Sequence, residues 1–468
     1  MIERLVIFGA AGDLTSRYLV PALARLHEAA LLPGAISVLG ISQENWDTAH
    51  FRRHIAERLD AHAADISPAT REAVLAGLEY LWADVTDPRQ VASALGPLRG
   101  PIVAYLALPP SIAGPTIEAL AALDLPEGSR IVAEKPFGTD LESARELNRL
   151  IHRIFDERAV FRVDHFLMKQ TIQNVLGLRF ANRVFEHLWN RDHVERVEIT
   201  WDETVALEGR ASYYDRAGAL RDMVQNHLLQ LVCLVGMEPP VTFGERDLRD
   251  RKVDVLRAVR RPSPAEVERL TVRARYAAGR VGDREVPAYA DEPGIDPSRE
   301  TETFARVTLR IDNWRWAGVP FVLRTGKALA RNRREIQVHF RPVPHLAFEG
   351  AAPRPNVLRL QMDPDRMALV VNINGPGDPF DLECVELDTR LAPQDLSAYA
   401  RVLLAVLEGD VTLSIRGDEA EESWRIVGPI LEAWASGRVP LREYPAGSDG
   451  PATESPAAPG LEAPGCGD

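Results

Sequence analysis

An Asp, an Asn and a His open a helix that is otherwise apolar. The stretch Arg221-Asp222-Met223-Val224-Gln225-Asn226-His227 runs into Leu228, Leu229, Leu231, Val232, Leu234 and Val235, whose spacing predicts a core-facing helix. Titratable groups at the head of such a helix need partners, because burial without them is costly. A histidine there is either a hydrogen-bonded core residue or a general base, a task for which its ordinary pKa suits it. A second cluster is Arg162-Val163-Asp164-His165-Phe166-Leu167-Met168-Lys169. Residues 161–163 read as a short strand, and strand ends in open α/β sheets are where ligands bind. A His and a Lys four apart can converge on one anion while the adjacent Asp faces a base. The competing reading is a strand-to-helix turn with an Asp cap. The third feature is the amino terminus: the apolar run 5–8, then Gly9-Ala10-Ala11-Gly12-Asp13-Leu14, then a helical pattern through Leu19, Leu23 and Leu26. A strand, a glycine turn and a helix let backbone N–H groups approach a pyrophosphate. Only two positions of the dinucleotide fingerprint are glycine, with Ala11 and Leu14 standing where others are usual.

These segments must be carried by a sizeable scaffold. The chain has 468 residues, too many for one ordinary core, so two domains are expected. Its composition, 46% hydrophobic and 26% charged, is that of a globular protein. A net charge of −13 argues against nucleic acid or an acidic membrane as the main partner, so a phosphate-bearing ligand requires a local basic pocket. Cys233, Cys384 and Cys466 show no metal-ligand spacing, and no metal is expected. No apolar run reaches membrane-spanning length and no secretory leader is evident, so the expected location is the cytoplasm.

Up to residue 163 the pattern alternates strand and helix, with apolar runs at 5–8, 36–41, 102–106 and 130–133. Alternation of this kind predicts an α/β, Rossmann-type domain with a parallel sheet over residues 1–163. Beyond Asp164 the helical patterns 170–180 and 217–235 precede or interrupt β-like runs at 194–201, 303–311, 319–324, 336–340, 357–362 and 368–373. Grouping of this kind predicts an α+β domain over 164–451 with a large, mainly antiparallel sheet. Residues 403–407 and 424–434 read as closing helices. The stretch 452–468, rich in Pro, Gly, Ala and acid, is expected to be a disordered tail.

Taken in order, the motifs resemble the glucose-6-phosphate dehydrogenase family from residue 5 to about residue 451. They are Gly9-Ala-Ala-Gly12-Asp-Leu, Glu134-Lys135-Pro136-Phe137-Gly138, Asp164-His165-Phe-Leu-Met-Lys169, and Glu208-Gly209-Arg210 leading into Tyr213-Tyr214-Asp215. Arg221-Asp222 through Asn226-His227, Gly318 through Arg324-Thr-Gly326-Lys327, and Tyr444 through Pro451 complete the order. The resemblance implies oxidation of a hexose 6-phosphate, glucose 6-phosphate first, at C1 to the 6-phospho-1,5-lactone, with hydride passing to NAD or NADP. The alternatives are a related sugar phosphate, such as glucosamine 6-phosphate, or a weakly active regulatory paralogue. It assigns the base to His227 and its hydrogen-bond partner to Asp164. It assigns the phosphate to His165 and Lys169, the sugar to Glu203, Asp222, Lys327, Lys135 and Gln361, and the dinucleotide to Gly9, Ala10, Ala11, Gly12, Asp13, Leu14, Gln43 and Lys135. A homodimer or homotetramer is implied, with the second domain's sheet as the dimer contact.

Four positions depart from the family pattern. Tyr18 stands where a lysine is usual, and Phe166 where a tyrosine is usual. Gln43, followed by Glu44, stands where the family carries an arginine for the 2′-phosphate of NADP, and no Lys or Arg occurs between Arg25 and Arg52. An acid near this strand end favours a free ribose hydroxyl, so NAD is expected to be preferred or at least accepted. Asp449 replaces an arginine that holds a second, structural dinucleotide in eukaryotic members, so no such extra site is expected.

Overall fold

The computed structural model describes residues 2–32, 36–209, 211–348, 353–378, 380–392 and 394–452. The tail expectation for 452–468 lies, but for Ala452, outside the described residues. By internal contacts the chain divides into two units, each assembled from three stretches. The first comprises 1–169, 240–250 and 394–424. The second comprises 170–239, 251–393 and 425–468.

Six parallel strands make the sheet of the first unit: β1 (Arg4–Phe8), β2 (Ser37–Ser42), β3 (Leu78–Trp82), β4 (Ile102–Leu106), β5 (Arg130–Glu134) and β6 (Val160–Val163). Their order is β3-β2-β1-β4-β5-β6, that of the doubly wound dinucleotide-binding fold. Strands covered on both faces read as unbroken apolar runs, and every residue of β4 is buried. Edge strand β3 does not read as such a run, because Glu79, Leu81 and Trp82 are exposed. The helix Ala398–Glu408 belongs to this unit rather than to the end of the second. Its Leu403, Val406 and Leu407 share a core with Leu19, Leu23 and Leu26. The free edge of β6 is closed by residues 414–415, where Ile415 N–H donates to the Arg162 carbonyl (3.1 Å). The Arg162 guanidinium is fully buried, and its two terminal nitrogens donate to Glu157 (2.8 Å) and the Asn148 carbonyl oxygen (2.8 Å). Pairing and hydrogen bonding are what allow a buried cation to persist.

The second unit holds β7 (Val194–Asp202), β8 (Thr271–Ala277), the hairpin β9 (Gly279–Val281) and β10 (Arg284–Val286), then β11 (Phe304–Arg310), β12 (Pro320–Gly326), β13 (Arg333–Phe340), β14 (Val357–Gln361), β15 (Arg366–Asn374), β16 (Leu382–Arg390) and β17 (Leu441–Pro445). Nine of them form one sheet, β16-β15-β14-β13-β7-β12-β11-β8-β17, antiparallel except at β7–β12 and β8–β17. One face is apolar, with Val197, Ile199, Trp201, Phe321, Leu323, Ile336 and Val338 buried, and Leu220–Leu228 packs against β11 and β12. By register the other face carries Arg196, Glu198, Gln337, Arg359, Arg306 and Arg324. Among the described residues no helix is long and apolar enough to cross a membrane.

Candidate active site

In the first unit the motif residues gather at the carboxyl ends of the strands. Gly9 follows β1 with φ +84°. A Cβ there would fall on the Ala107 carbonyl and lie 2.9 Å from Leu108 Cδ2, so only glycine fits the turn. Gly9 N–H donates to the Ile41 carbonyl (2.8 Å) and Gly12 N–H to the Gly9 carbonyl (3.0 Å). The chain is helical from residue 13, placing a helix amino terminus, with its unpaired N–H groups, beside the β1/β4 switch point. A pyrophosphate fits this turn: the close backbone approach and the helix start are the parts that recognise one.

Beyond β2 the surroundings are acidic. The Gln43 amide donates to Asp84 (3.4 Å), and its carbonyl accepts from Trp82 Nε1 (2.9 Å). The Glu44 carboxylate folds back onto the Ser42 hydroxyl, and its backbone carbonyl accepts from the Tyr80 hydroxyl (2.7 Å). Arg17, in the helix that follows β1, pairs with Asp13 at 3.9 Å and remains about half exposed.

At the end of β6, Asp164 is 3% exposed, and its Oδ1 accepts from Phe166 N–H (3.0 Å), capping the short 3₁₀ turn His165–Met168. His165 stacks on Tyr399 (centroids 5.3 Å, 18°) and meets the Phe166 ring edge-on (4.9 Å). Lys169 Nζ lies 5.1 Å from the centroid of the same Phe166 ring. Phe166 therefore lacks a hydroxyl but touches both side chains, offering its face to the Lys169 ammonium and an edge contact to the His165 ring. Tyr18 packs on the other ring neighbour, Tyr399 (5.1 Å). At the end of β5, beside Lys135, the Glu134 carboxylate accepts from the buried Tyr105 hydroxyl (2.6 Å), and burial pushes its pKa up to about 7.

In the second unit, Lys327 follows β12. Its backbone N–H donates to the Thr303 carbonyl (3.0 Å) and its Nζ pairs with Glu203 (2.8 Å), 5.3 Å from the Tyr214 ring centroid. Asp222 and His227 lie on Leu220–Leu228, which is π-helical rather than α-helical. The N–H that follows, of Leu229, reaches the Val224 carbonyl five residues back, and the Asn226 side chain donates to the Arg221 carbonyl (3.0 Å). The expected helix over 217–235 is thus three pieces: Ala211–Ala219, the π segment, and Leu229–Gly236. In an α-helix, residues five apart point about 140° away from each other. An i→i+5 ladder winds more loosely and swings Asp222 and His227 toward one face; such turns are rare and recur at functional sites. Both are buried, and Asp222 Oδ1 accepts from the Tyr213 hydroxyl (3.2 Å).

Gln361 is set differently from the rest. Its register partners are Glu335 and Arg366, which put it on the sheet's polar face, while the alternation leading to Lys327 follows the apolar one. Asp164, His165, Lys169 and Lys135 belong to the first unit, and Glu203, Asp222, His227 and Lys327 to the second. Tyr105 and Tyr399, which contact motif residues or their neighbours, carry no signal in sequence, since a tyrosine within an apolar or helical run reads as core.

Two family models together cover nearly all of the chain. The model described as glucose-6-phosphate dehydrogenase, NAD binding domain, matches residues 6–174, and that described as glucose-6-phosphate dehydrogenase, C-terminal domain, matches residues 176–458. The chain is 41% identical over 471 residues to a glucose-6-phosphate 1-dehydrogenase of Treponema pallidum, covering 96% of this chain and 92% of that one. Among solved structures it is similar to a glucose-6-phosphate 1-dehydrogenase from Mycobacterium avium (36% identity, TM-score 0.84, 96% of each chain). It is also similar to a glucose-6-phosphate dehydrogenase in complex with its substrate glucose-6-phosphate (30% identity, TM-score 0.87, 96% of each chain).

Proposed function

The chain belongs to the glucose-6-phosphate dehydrogenase family, and we propose that it performs its glucose-6-phosphate 1-dehydrogenase reaction with His227 as the base and Asp164 as the partner of that histidine. The reaction oxidises C1 of the sugar to a lactone, and a bound nicotinamide dinucleotide supplies the hydride acceptor. His227 takes the O1 proton. To Asp164 we assign the role a carboxylate plays toward such a histidine, holding the tautomer and stabilising the imidazolium, by the logic that governs carboxylate–histidine pairs elsewhere. Lys169 and His165 grip the 6-phosphate. Asp222 and the Glu203–Lys327 pair hydrogen-bond the sugar hydroxyls, and Lys135 bridges toward the dinucleotide. Gln361 joins this set only through the family resemblance.

The observation that carries the reading is the π-wound segment, which turns a buried carboxylate and a buried histidine toward one face in the unit that also holds the Glu203–Lys327 pair. The test is dinucleotide reduction measured with glucose 6-phosphate, glucosamine 6-phosphate and free glucose. The highest kcat/KM is expected with glucose 6-phosphate, and a preference for either other sugar overturns it. A homodimer or homotetramer goes with this reading, with the polar face of the nine-stranded sheet as the contact, and so does a cytoplasmic location.

We further propose that NAD is used at least as well as NADP. A 2′-phosphate beyond β2 would meet Gln43 between the carboxylates of Asp84 and Glu44. Charge-assisted hydrogen bonds are about twice as strong as neutral ones, so the missing arginine is felt. The expected result is kcat/KM for NAD equal to or above that for NADP, with Gln43→Arg shifting the ratio toward NADP. A wild-type preference for NADP of about tenfold, which corresponds to roughly 1.4 kcal/mol, sinks the idea and points to Arg17 as the phosphate partner.

A further inference from the structure

Resting on the reading of His227 as the base, we infer that Glu302 is a positioning residue for this reaction: it fixes where the π-wound segment begins, and thereby how Asp222 and His227 are presented. The helix Ala211–Ala219 breaks at Gly218, which has φ +67° and ψ 171°. A new helix start follows at once, and its first two N–H groups go to one residue. Ala219 N–H donates to the Glu302 backbone carbonyl (3.1 Å), and Leu220 N–H donates to the Glu302 carboxylate (2.9 Å). Glu302 is 6% exposed, and a carboxylate at a helix amino terminus is favoured by the helix dipole. The approach is close enough that a Cβ on Gly218 would lie 2.8 Å from the Glu302 carboxyl carbon.

The residues on either side of Glu302 make the anchor stiff. The Thr301 hydroxyl donates to the Asp215 carbonyl in the preceding helix (2.7 Å). The Thr303 carbonyl accepts from Lys327 N–H (3.0 Å), and the Thr303 hydroxyl shares a hydrogen bond with Tyr444 (3.0 Å), whose own hydroxyl donates to the Lys327 carbonyl (2.7 Å). The tripeptide that leads into β11 therefore seats both the His227 segment and Lys327. A rotation or slip of the segment at its first turn propagates along a rigid ladder to His227, and small misplacements of a reacting group are expensive in rate.

The test is a double-mutant cycle. Glu302→Ala is expected to lower kcat about tenfold or more, since misplacement by about 1 Å can cost on the order of 10²-fold. Glu302→Gln keeps a carbonyl acceptor for Leu220 N–H and is expected to retain most of the turnover. In a His227→Ala background, Glu302→Ala adds little further loss, because its effect runs through the residue already removed. Dinucleotide affinity, measured by fluorescence, stays near wild type in every variant, which separates mispositioning from unfolding. If Glu302→Ala does not fold, Glu302→Asp, which shortens the reach to Leu220, carries the same expectation. Retained kcat in these variants, or a loss that multiplies fully with that of His227→Ala, overturns the inference. Near-normal turnover by His227→Ala alone overturns the reading of the base instead.

Discussion

His227→Ala and His227→Asn lose most turnover, by about 10²–10⁴-fold in kcat, the range typical of a group that moves a proton in the transition state. KM for glucose 6-phosphate changes little, because the phosphate and hydroxyl contacts are made by other residues. The alternative reading of this histidine is a buried, hydrogen-bonded core residue, and burial at 1% exposure alone does not separate the two. The kinetic signature does. A core residue lost to alanine lowers stability and the yield of folded enzyme, leaving kcat per folded site intact, whereas a lost base lowers kcat in enzyme that remains folded. A variant with near-normal kcat removes His227 from the mechanism.

Lys169→Ala raises KM for glucose 6-phosphate by roughly 10- to 150-fold, corresponding to the roughly 1.5–3 kcal/mol of a hydrogen bond between charged groups. The kcat/KM for free glucose hardly moves, since that sugar brings no phosphate. With a net charge of −13 the chain repels anions at long range, so phosphate binding must be local. The pair we propose for it is organised on aromatic rings. His165 is held by Tyr399 on one side and Phe166 on the other, and the Lys169 ammonium lies near the Phe166 ring. Equal effects of Lys169→Ala on both sugars would show that Lys169 does not read the phosphate.

Much of this arrangement is legible in the amino-acid sequence because its signals are local. The apolar runs of β1 and β4 announce strands buried on both faces, and the turn at Gly9 announces a backbone that no side chain tolerates. What the sequence hides depends on distant partners. Strand β3 is an edge, so its pattern mixes core and surface residues. The helix Ala398–Glu408 has an amphipathic period that says it packs, not that it packs on residues near the amino terminus. Tyr399 and Glu302 belong to no motif, and their roles exist only through what the fold sets against them. The π winding is out of reach for a different reason: periodicity is judged against an assumed 3.6 residues per turn. Under that assumption Asp222 and His227 diverge.

That winding makes residue count a functional determinant in its own right. Between Arg221 and Leu229 the number of residues per turn sets which side chains share a face, so on the proposed mechanism identity at Asp222 and His227 is necessary without being sufficient. A homologous segment that lost one residue outside 222–227 and wound as an α-helix would keep the two residues five apart, where they point about 140° away from each other. It could retain every recognisable letter and yet aim the carboxylate and the imidazole apart. Comparison of such proteins letter by letter would score the two as equivalent, and only the gap would tell them apart.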